Sequence, residues 1–384
     1  DYDFGVPGIM MTMADIHSRR GDDAQTETIL EAVLKQNPED IKTLLGLAHL
    51  KMMKGNTAEA QALLERAAKT GVPKVRILRE QASLKLSAGD IEGARTALYD
   101  LLVEAPKDAD ARFTLYMTFA RDFMKAKDEK AKADIRANMV VQINEILDIP
   151  EARYFQGSLA RGHMRLIEND LEGAREDFLV ADKTMPGIVP ILELILRIDY
   201  SLKDPLRAKA HAMEILKISS ENPFANYIMG SVAMSHGEYA SADAYLQKSI
   251  EKDANVLATG DLAYVKFKLD DLDRAFKLVT QALDRTKDLY EVWDTYGQIL
   301  LEQGKLDEAE TALRTALKLN VQNPIVHLHL AKVLSDQGRK QDCKNILEQI
   351  QPFETSLYGD ERRYYEALWM QVYGFEKKIN VKKN

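Results

Sequence analysis

The run Gly304-Lys305-Leu306-Asp307-Glu308-Ala309 decides the fold, because the chain repeats it. It returns as Gly55-Asn56-Thr57-Ala58-Glu59-Ala60, as Gly89-Asp90-Ile91-Glu92-Gly93-Ala94 and as Gly237-Glu238-Tyr239-Ala240-Ser241-Ala242. Alignment on its first position gives nine anchors: Gly21, Gly55, Gly89, Asn169, Lys203, Gly237, Asp270, Gly304 and Gly338. They stand 34, 34, 80, 34, 34, 33, 34 and 34 residues apart. The gap of 80 holds one ordinary unit and one irregular unit of 46, so about ten repeats are expected. A fixed period of this length signals stacked supersecondary units, each too small to bury its apolar face alone.

Three further offsets test the register. Five residues after the anchors stand Thr26, Ala60, Ala94, Ala174, Ala208, Ala242, Ala275, Ala309 and Cys343, all small. Seven before them stand Ala14, Ala48, Ala82, Gly162, Leu196, Gly230, Ala263, Gly297 and Ala331, small except for Leu196. Nine after them stand Leu30, Leu64, Leu98, Phe178, Ala212, Leu246, Val279, Leu313 and Leu347, all apolar. Small residues at two fixed positions mean close approach of two helices, with the apolar position filling the space beside them. Prolines punctuate the units: Pro38, Pro106 and Pro186 lie 17 residues past their anchors, and Pro73, Pro223 and Pro324 slightly further on. Proline there cannot continue one helix but can open the next. Each unit reads as helix A, a tight turn favouring a left-handed residue at the anchor, helix B and a short loop. No stretch alternates with period two among β-branched residues, so no sheet is expected.

Composition bounds the function. Of 384 residues, 46% are apolar and 29% charged, which suits a folded soluble chain rather than a disordered one. The net charge of −8 argues against nucleic acid as the main partner, since phosphate binding needs a basic face. One cysteine excludes an intramolecular disulfide and a cysteine-built zinc site. The longest apolar stretch, Ile188 to Ile198, is interrupted by Glu193 and Arg197 and is too short to span a bilayer. A start at Asp1 rather than Met is expected of an excised piece that has lost a targeting segment, which leaves cytoplasm and periplasm both open.

These residues resemble the tetratricopeptide repeat, whose unit carries small residues at its eighth and twentieth positions, glycine near the fifteenth and proline near the thirty-second. Trp293, Tyr296, Gly297, Leu300, Gly304, Ala309, Leu313 and Ala316 match the pattern in one unit. The resemblance covers roughly residues 8 to 355. Gln81 and Arg161 depart from it at a normally apolar position, and Leu196 at a normally small one. The resemblance implies an all-α, right-handed solenoid of helix-turn-helix repeats with helix A lining a concave groove. About 21 helices are expected: repeats over 1–355, then a capping helix and basic tail over 356–384. In the irregular repeat, about 108–150, helices near 109–124 and 131–147 are expected to be joined by a longer solvated turn, Lys125-Ala126-Lys127-Asp128-Glu129-Lys130. In the last segment, Tyr365, Leu368, Trp369 and Val372 form a stripe expected to cover the open end of the final repeat. The remaining aromatic surface there is available to a partner or a second copy. The tail from Glu376 to Asn384 carries four lysines and is expected to fray.

Signals for chemistry are weak. No G-x-G-x-x-G, P-loop, H-E-x-x-H or G-x-S-x-G motif occurs. His327 and His329 are two apart on a helix and point to different faces; His327 and Cys343 are expected to fill the core. No cofactor, metal or catalytic residue is expected, and the chain reads as non-enzymatic. The resemblance places ligands, usually extended peptides or partner helices, on helix A positions two, five, nine and twelve. There the partner-binding candidates are Arg197, Tyr200, Tyr227, Ser231, Tyr264, Phe267, Asp294 and Gln298. In the N-terminal half the same positions hold Lys42, His49, Arg76, Arg79 and Ser83. Tyr227, Tyr264 and Phe267 are expected to form one aromatic patch flanked by Arg197 on one side and by Asp294 and Gln298 on the other. Aromatics facing a groove are rigid anchors; the same residues would equally pack between successive A helices. Two functions follow: a scaffold holding a protein or peptide in its groove, in the style of bacterial secretion or envelope-assembly components, or a substrate-positioning arm of an enzyme whose catalytic domain lies elsewhere.

Overall fold

The structure, a computed structural model, describes residues 22–252 and 255–374, together with Met10, Met13, Ala14, His17 and Ser18. The anchor Gly21 and the lysine-bearing tail lie outside the described residues. Contacts divide the chain into two compact units that meet at Pro186 and Gly187 in sequence. Among the described residues there are 20 α-helices and no strand.

The first unit holds α1 (Asp23–Gln36), α2 (Ile41–Met53), α3 (Thr57–Ala68), α4 (Lys74–Ser87), α5 (Ile91–Glu104), α6 (Ala109–Lys125), α7 (Glu129–Leu147), α8 (Ser158–Ile167) and α9 (Leu171–Thr184). The second holds α10 (Val189–Ser201), α11 (Pro205–Ile218), α12 (Pro223–Ser235), α13 (Tyr239–Lys252), α14 (Val256–Lys268), α15 (Leu272–Arg285), α16 (Tyr290–Glu302), α17 (Leu306–Leu319), α18 (Pro324–Asp336), α19 (Lys340–Ile350) and α20 (Gly359–Tyr373). Each unit is an α-solenoid of stacked hairpins, in which a helix touches its hairpin partner and its immediate neighbours.

Side-chain caps set many of the helix starts. Asp40, Asp90, Asp108, Asp170, Asp204, Asn222, Asp271 and Asn323 each accept a hydrogen bond from an N–H of the first turn. Each such cap is worth about 1 kcal/mol. Pro205, Pro223 and Pro324 stand at the first helical position of α11, α12 and α18, where a missing N–H costs nothing.

The anchors do what the register demands. Gly55, Gly89, Gly237, Gly304 and Gly338 have φ between 72° and 79°. Asn169, Lys203 and Asp270, the non-glycine anchors, adopt the same left-handed conformation at φ 61°, 56° and 62°. At Gly55 the bonds are Gly55 N–H to the Met52 carbonyl, 3.0 Å, and Asn56 N–H to the Lys51 carbonyl, 2.8 Å, a Schellman closure of α2. A lysine held at positive φ carries strain of about 1 kcal/mol that glycine does not. Lys203→Gly is therefore expected to raise stability by about 0.5–1 kcal/mol in urea denaturation.

The two small positions bury completely or nearly so, and their partners are visible. A Cβ on Gly297 would lie 2.6 Å from Leu313 Cγ, and one on Gly230 2.6 Å from Leu246 Cγ. A Cβ on Gly162 would lie 2.9 Å from the Phe178 ring. The position seven before the anchor thus faces the position nine after it. This accounts for Leu196: its partner position holds Ala212, and both are fully buried in one core. Large and small have been exchanged across the contact, and the volume is kept. Arg161 is accounted for differently. Its guanidinium binds the carboxylate of Asp177 on α9, at 2.5 Å, and Arg165 binds the other oxygen at 3.0 Å. Asp177 is 2% exposed, so its charge is matched where it is buried.

The irregular repeat differs from expectation in where its extra residues lie. Its turn is short, with Asp128 capping α7, and the added length sits in α6 and α7, of 17 and 19 residues. The chain then passes through a five-residue π-helical turn, Arg153–Gly157, into α8. At the C-terminus Tyr365, Leu368, Trp369 and Val372 of α20 join the core of the last hairpin. Tyr358 and Met370 are left on the surface beside them.

Candidate functional site

In the second unit the A helices α10, α12, α14, α16 and α18 lie side by side. Between them opens a cavity of about 370 Å³. Its floor exists because position five of the α14 repeat is Gly260. The equivalent residue on α12 is Tyr227, whose side chain would fill this space. The backbone at Gly260 approaches α16 so closely that a Cβ would stand 2.9 Å from Val292 Cγ2.

Aromatic rings and carboxylates share the wall. Tyr200, Tyr227, Tyr264 and Tyr290 line it, together with Asp261, Glu291 and Asp294. Tyr200 meets Tyr227 edge to face at 6.1 Å, with their hydroxyls 3.4 Å apart. Tyr264 leans on Tyr239 at 6.3 Å. Burial pushes the Asp261 carboxyl up to about 7, and the Glu291 carboxylate adds to the rise; a hydrogen bond from Ser231 Oγ at 3.5 Å opposes it. Burial likewise raises the phenols of Tyr227, Tyr264 and Tyr290, which stay protonated at neutral pH. Asp294 is held in place: Gln298 Nε2 donates to one oxygen at 3.0 Å and His329 Nδ1 to the other at 2.7 Å.

Of the residues singled out by their repeat position, Tyr200, Tyr227, Tyr264 and Asp294 meet at this cavity. Tyr227 is 7% exposed and belongs mostly to the core, showing the cavity little surface. Ser231 reaches the site through Asp261 rather than by lining it. Phe267 and Gln298 line a second cavity of about 250 Å³ with Lys268, His329, Glu361 and Tyr364. The expected single patch of Tyr227, Tyr264 and Phe267 is therefore divided. Three residues carry the helix about 4.5 Å onward and some 60° short of a full turn, which moves Phe267 into the next cavity. Arg197 does not flank the patch in the way expected. It stacks on Phe224, with Cζ 4.5 Å from the ring centre, at a smaller opening beside Tyr227.

Repeat position alone did not find Asp261, Tyr290 or His329. A lone carboxylate in the apolar run Val256-Leu257-Ala258-Thr259-Gly260-Asp261-Leu262 was the available signal for Asp261. His327 is half-buried and donates to the Asn323 carbonyl at 2.8 Å, so it serves its own helix start rather than filling the core. Cys343 is fully buried, and burial raises its thiol to about 11, which keeps it protonated and inert. Among the described residues no helix is long and apolar enough to cross a membrane.

Two family models match the chain. Residues 16–79 match a model described as tetratricopeptide repeat, and residues 297–338 one described as TPR repeat. Among solved structures the chain is similar to a tetratricopeptide repeat protein from Parabacteroides merdae at 17% identity, over 67% of this chain and 97% of that one, with a TM-score of 0.44. It is similar to the Cut9–Hcn1 heterotetramer of APC/C at 14% identity, over 96% and 97% of the two chains, with a TM-score of 0.46. Against YrrB, described as a TPR protein with an unusual peptide-binding site, identity is 19% over 46% of this chain and 94% of that one, with a TM-score of 0.38. The two matched segments hold the anchors Gly21, Gly55, Gly304 and Gly338, and the left-handed turns carry the same register across the unmatched remainder. Residues 16–79 and 297–338 are tetratricopeptide repeats.

Proposed function

We propose that this protein is a non-enzymatic scaffold that seats an extended peptide or protein segment against the A helices of its second unit. The observation that supports this most is the cavity between α12, α14 and α16, where a glycine takes the place of a large side chain and leaves Tyr264 partly open. A cavity of this size, walled by rigid rings and a few polar groups, suits one anchoring side chain. Within this reading residues 1–355 are the repeat array and 356–384 its cap and basic tail. Self-association through the C-terminal end would rest on Phe353, Tyr358 and Met370, large apolar side chains left exposed there. The setting is a bacterial secretion or envelope-assembly complex, which repeat regions of this style resemble.

The test pairs binding with stability. Linear peptides selected from a random displayed library would be titrated against the wild-type chain and Tyr264→Ala. The substitution is expected to weaken binding by about 1–3 kcal/mol. It is expected to cost less stability than Leu313→Ala, since Leu313 is fully buried and Tyr264 is not. A large loss of stability with unchanged binding would return Tyr264 to the core and remove the anchor.

A further inference from the structure

The cavity is not neutral. Asp261, Glu291 and Asp294 line it, and among the described residues no lysine, arginine or histidine does. Two of these carboxylates oppose each other closely enough for Glu291 to disfavour ionisation of Asp261. Asp294 already has donors in Gln298 and His329, whereas among the described residues Asp261 accepts the long bond from Ser231 at 3.5 Å. Asp261 is half-buried and Glu291 is exposed at the cavity wall; like charges held close together there are costly, and a cation between them relieves the cost. The phenol rings add a second attraction of the same sign, because a ring face is negative and favours a desolvated cation. Rings of the site already use that attraction: Arg197 covers Phe224 at 4.5 Å, and Lys268 Nζ, whose residue lines the second cavity, lies 5.3 Å from the centre of Tyr264.

We infer that the cavity accepts a lysine or arginine side chain of the bound peptide, its stem along Tyr264 and its charged head between Asp261 and Glu291. This rests on the peptide-groove reading and specifies its ligand: the anchor is cationic, not apolar. The titratable groups that line the cavity with Asp261 are Tyr200 from α10, Tyr227 from α12, Tyr264 from its own helix, and Tyr290, Glu291 and Asp294 from α16, and Ser231 of α12 donates to it. Lys266, on the other side of α14, is taken up by Asp243 of α13 at 2.7 Å and leaves this field unbalanced. Ionised Asp261 is the binding form, so affinity rises as pH passes upward through about 7. The free protein responds the opposite way. A carboxyl raised above its unfolded value makes folding less favourable as pH climbs from the ordinary aspartate range to about 7. Asp261→Asn is therefore expected to fold, and to melt no lower than wild type at about pH 8.

The experiment uses library-selected linear peptides and the full chain. In each peptide every lysine and arginine is replaced in turn by norleucine, which keeps the stem and removes the charge. One such replacement is expected to cost about tenfold or more in affinity. That loss is expected to vanish in Asp261→Asn, and wild-type affinity to be higher at about pH 8 than at about pH 6. Peptides that lose affinity on Tyr264→Ala yet tolerate every norleucine would overturn the cationic anchor and leave the groove standing. Peptides indifferent to Tyr264→Ala would overturn the groove and the cationic anchor with it.

Discussion

Ala309→Glu is expected to unfold the second unit's central hairpins, at a cost of about 4 kcal/mol or more. Ala309 is fully buried on α17, and its carbonyl lies 3.5 Å from where a Cβ on Gly297 of α16 would stand. No space exists for four further heavy atoms, and the cluster that buries Ala309 is apolar. Because hairpins in a solenoid depend on their neighbours, the loss spreads to α15 and α18. Thr311→Glu, two residues along on the exposed face of the same helix, is expected to change stability by no more than about 0.5 kcal/mol. Urea denaturation and hydrogen exchange of α16 to α18 would check both. A melting temperature for Ala309→Glu within a degree or two of wild type would show that the register is wrong.

Gly230→Leu carries the second large effect, and it has a built-in rescue. The new side chain would collide with Leu246, whose Cγ and Cδ2 lie 2.6 and 2.8 Å from the position of the added Cβ. A loss of about 3 kcal/mol is expected, after allowing for the better helix propensity of leucine. Adding Leu246→Ala recreates the arrangement the chain itself uses at Leu196 and Ala212. The double variant is expected to recover about 2 kcal/mol of the loss, a coupling that independent sites do not show. Additive losses would mean that Leu196 and Ala212 are not a compensated exchange.

These two cases show why the fold was legible in the sequence and where reading stopped. Close helix contacts admit so few residues that Ala275, Ala309 and Gly297 report the geometry by themselves. The left-handed turns were legible at Gly55 and Gly304, and through the register also at Lys203, whose residue type gives no hint of positive φ. Leu196 was visible as an exception, but its reason lies across the contact, in Ala212. The length of the irregular repeat was legible, and its distribution was not: a mixed charge run such as Lys125 to Lys130 reads as a turn, although Glu129 and Lys130 are already helical. The site was half legible. Repeat positions led to Tyr200, Tyr227, Tyr264 and Asp294, since groove-facing positions follow from the helical period. They could not lead to the cavity, which arises from a side chain that is missing at Gly260. Nor could they lead to Asp261, whose chemistry depends on enclosure and on Glu291 across the gap.

The proposed partner seats its anchoring side chain in the cavity between α12, α14 and α16. The most direct measurement is photo-cross-linking with a selected peptide that carries a diazirine next to its anchoring residue, followed by mapping of the adducts. Adducts are expected on Leu257, Tyr264, Tyr290 and Ile325, which line the cavity. Adducts confined to the B helices, or to Tyr358 and Met370 at the C-terminal end, would contradict it.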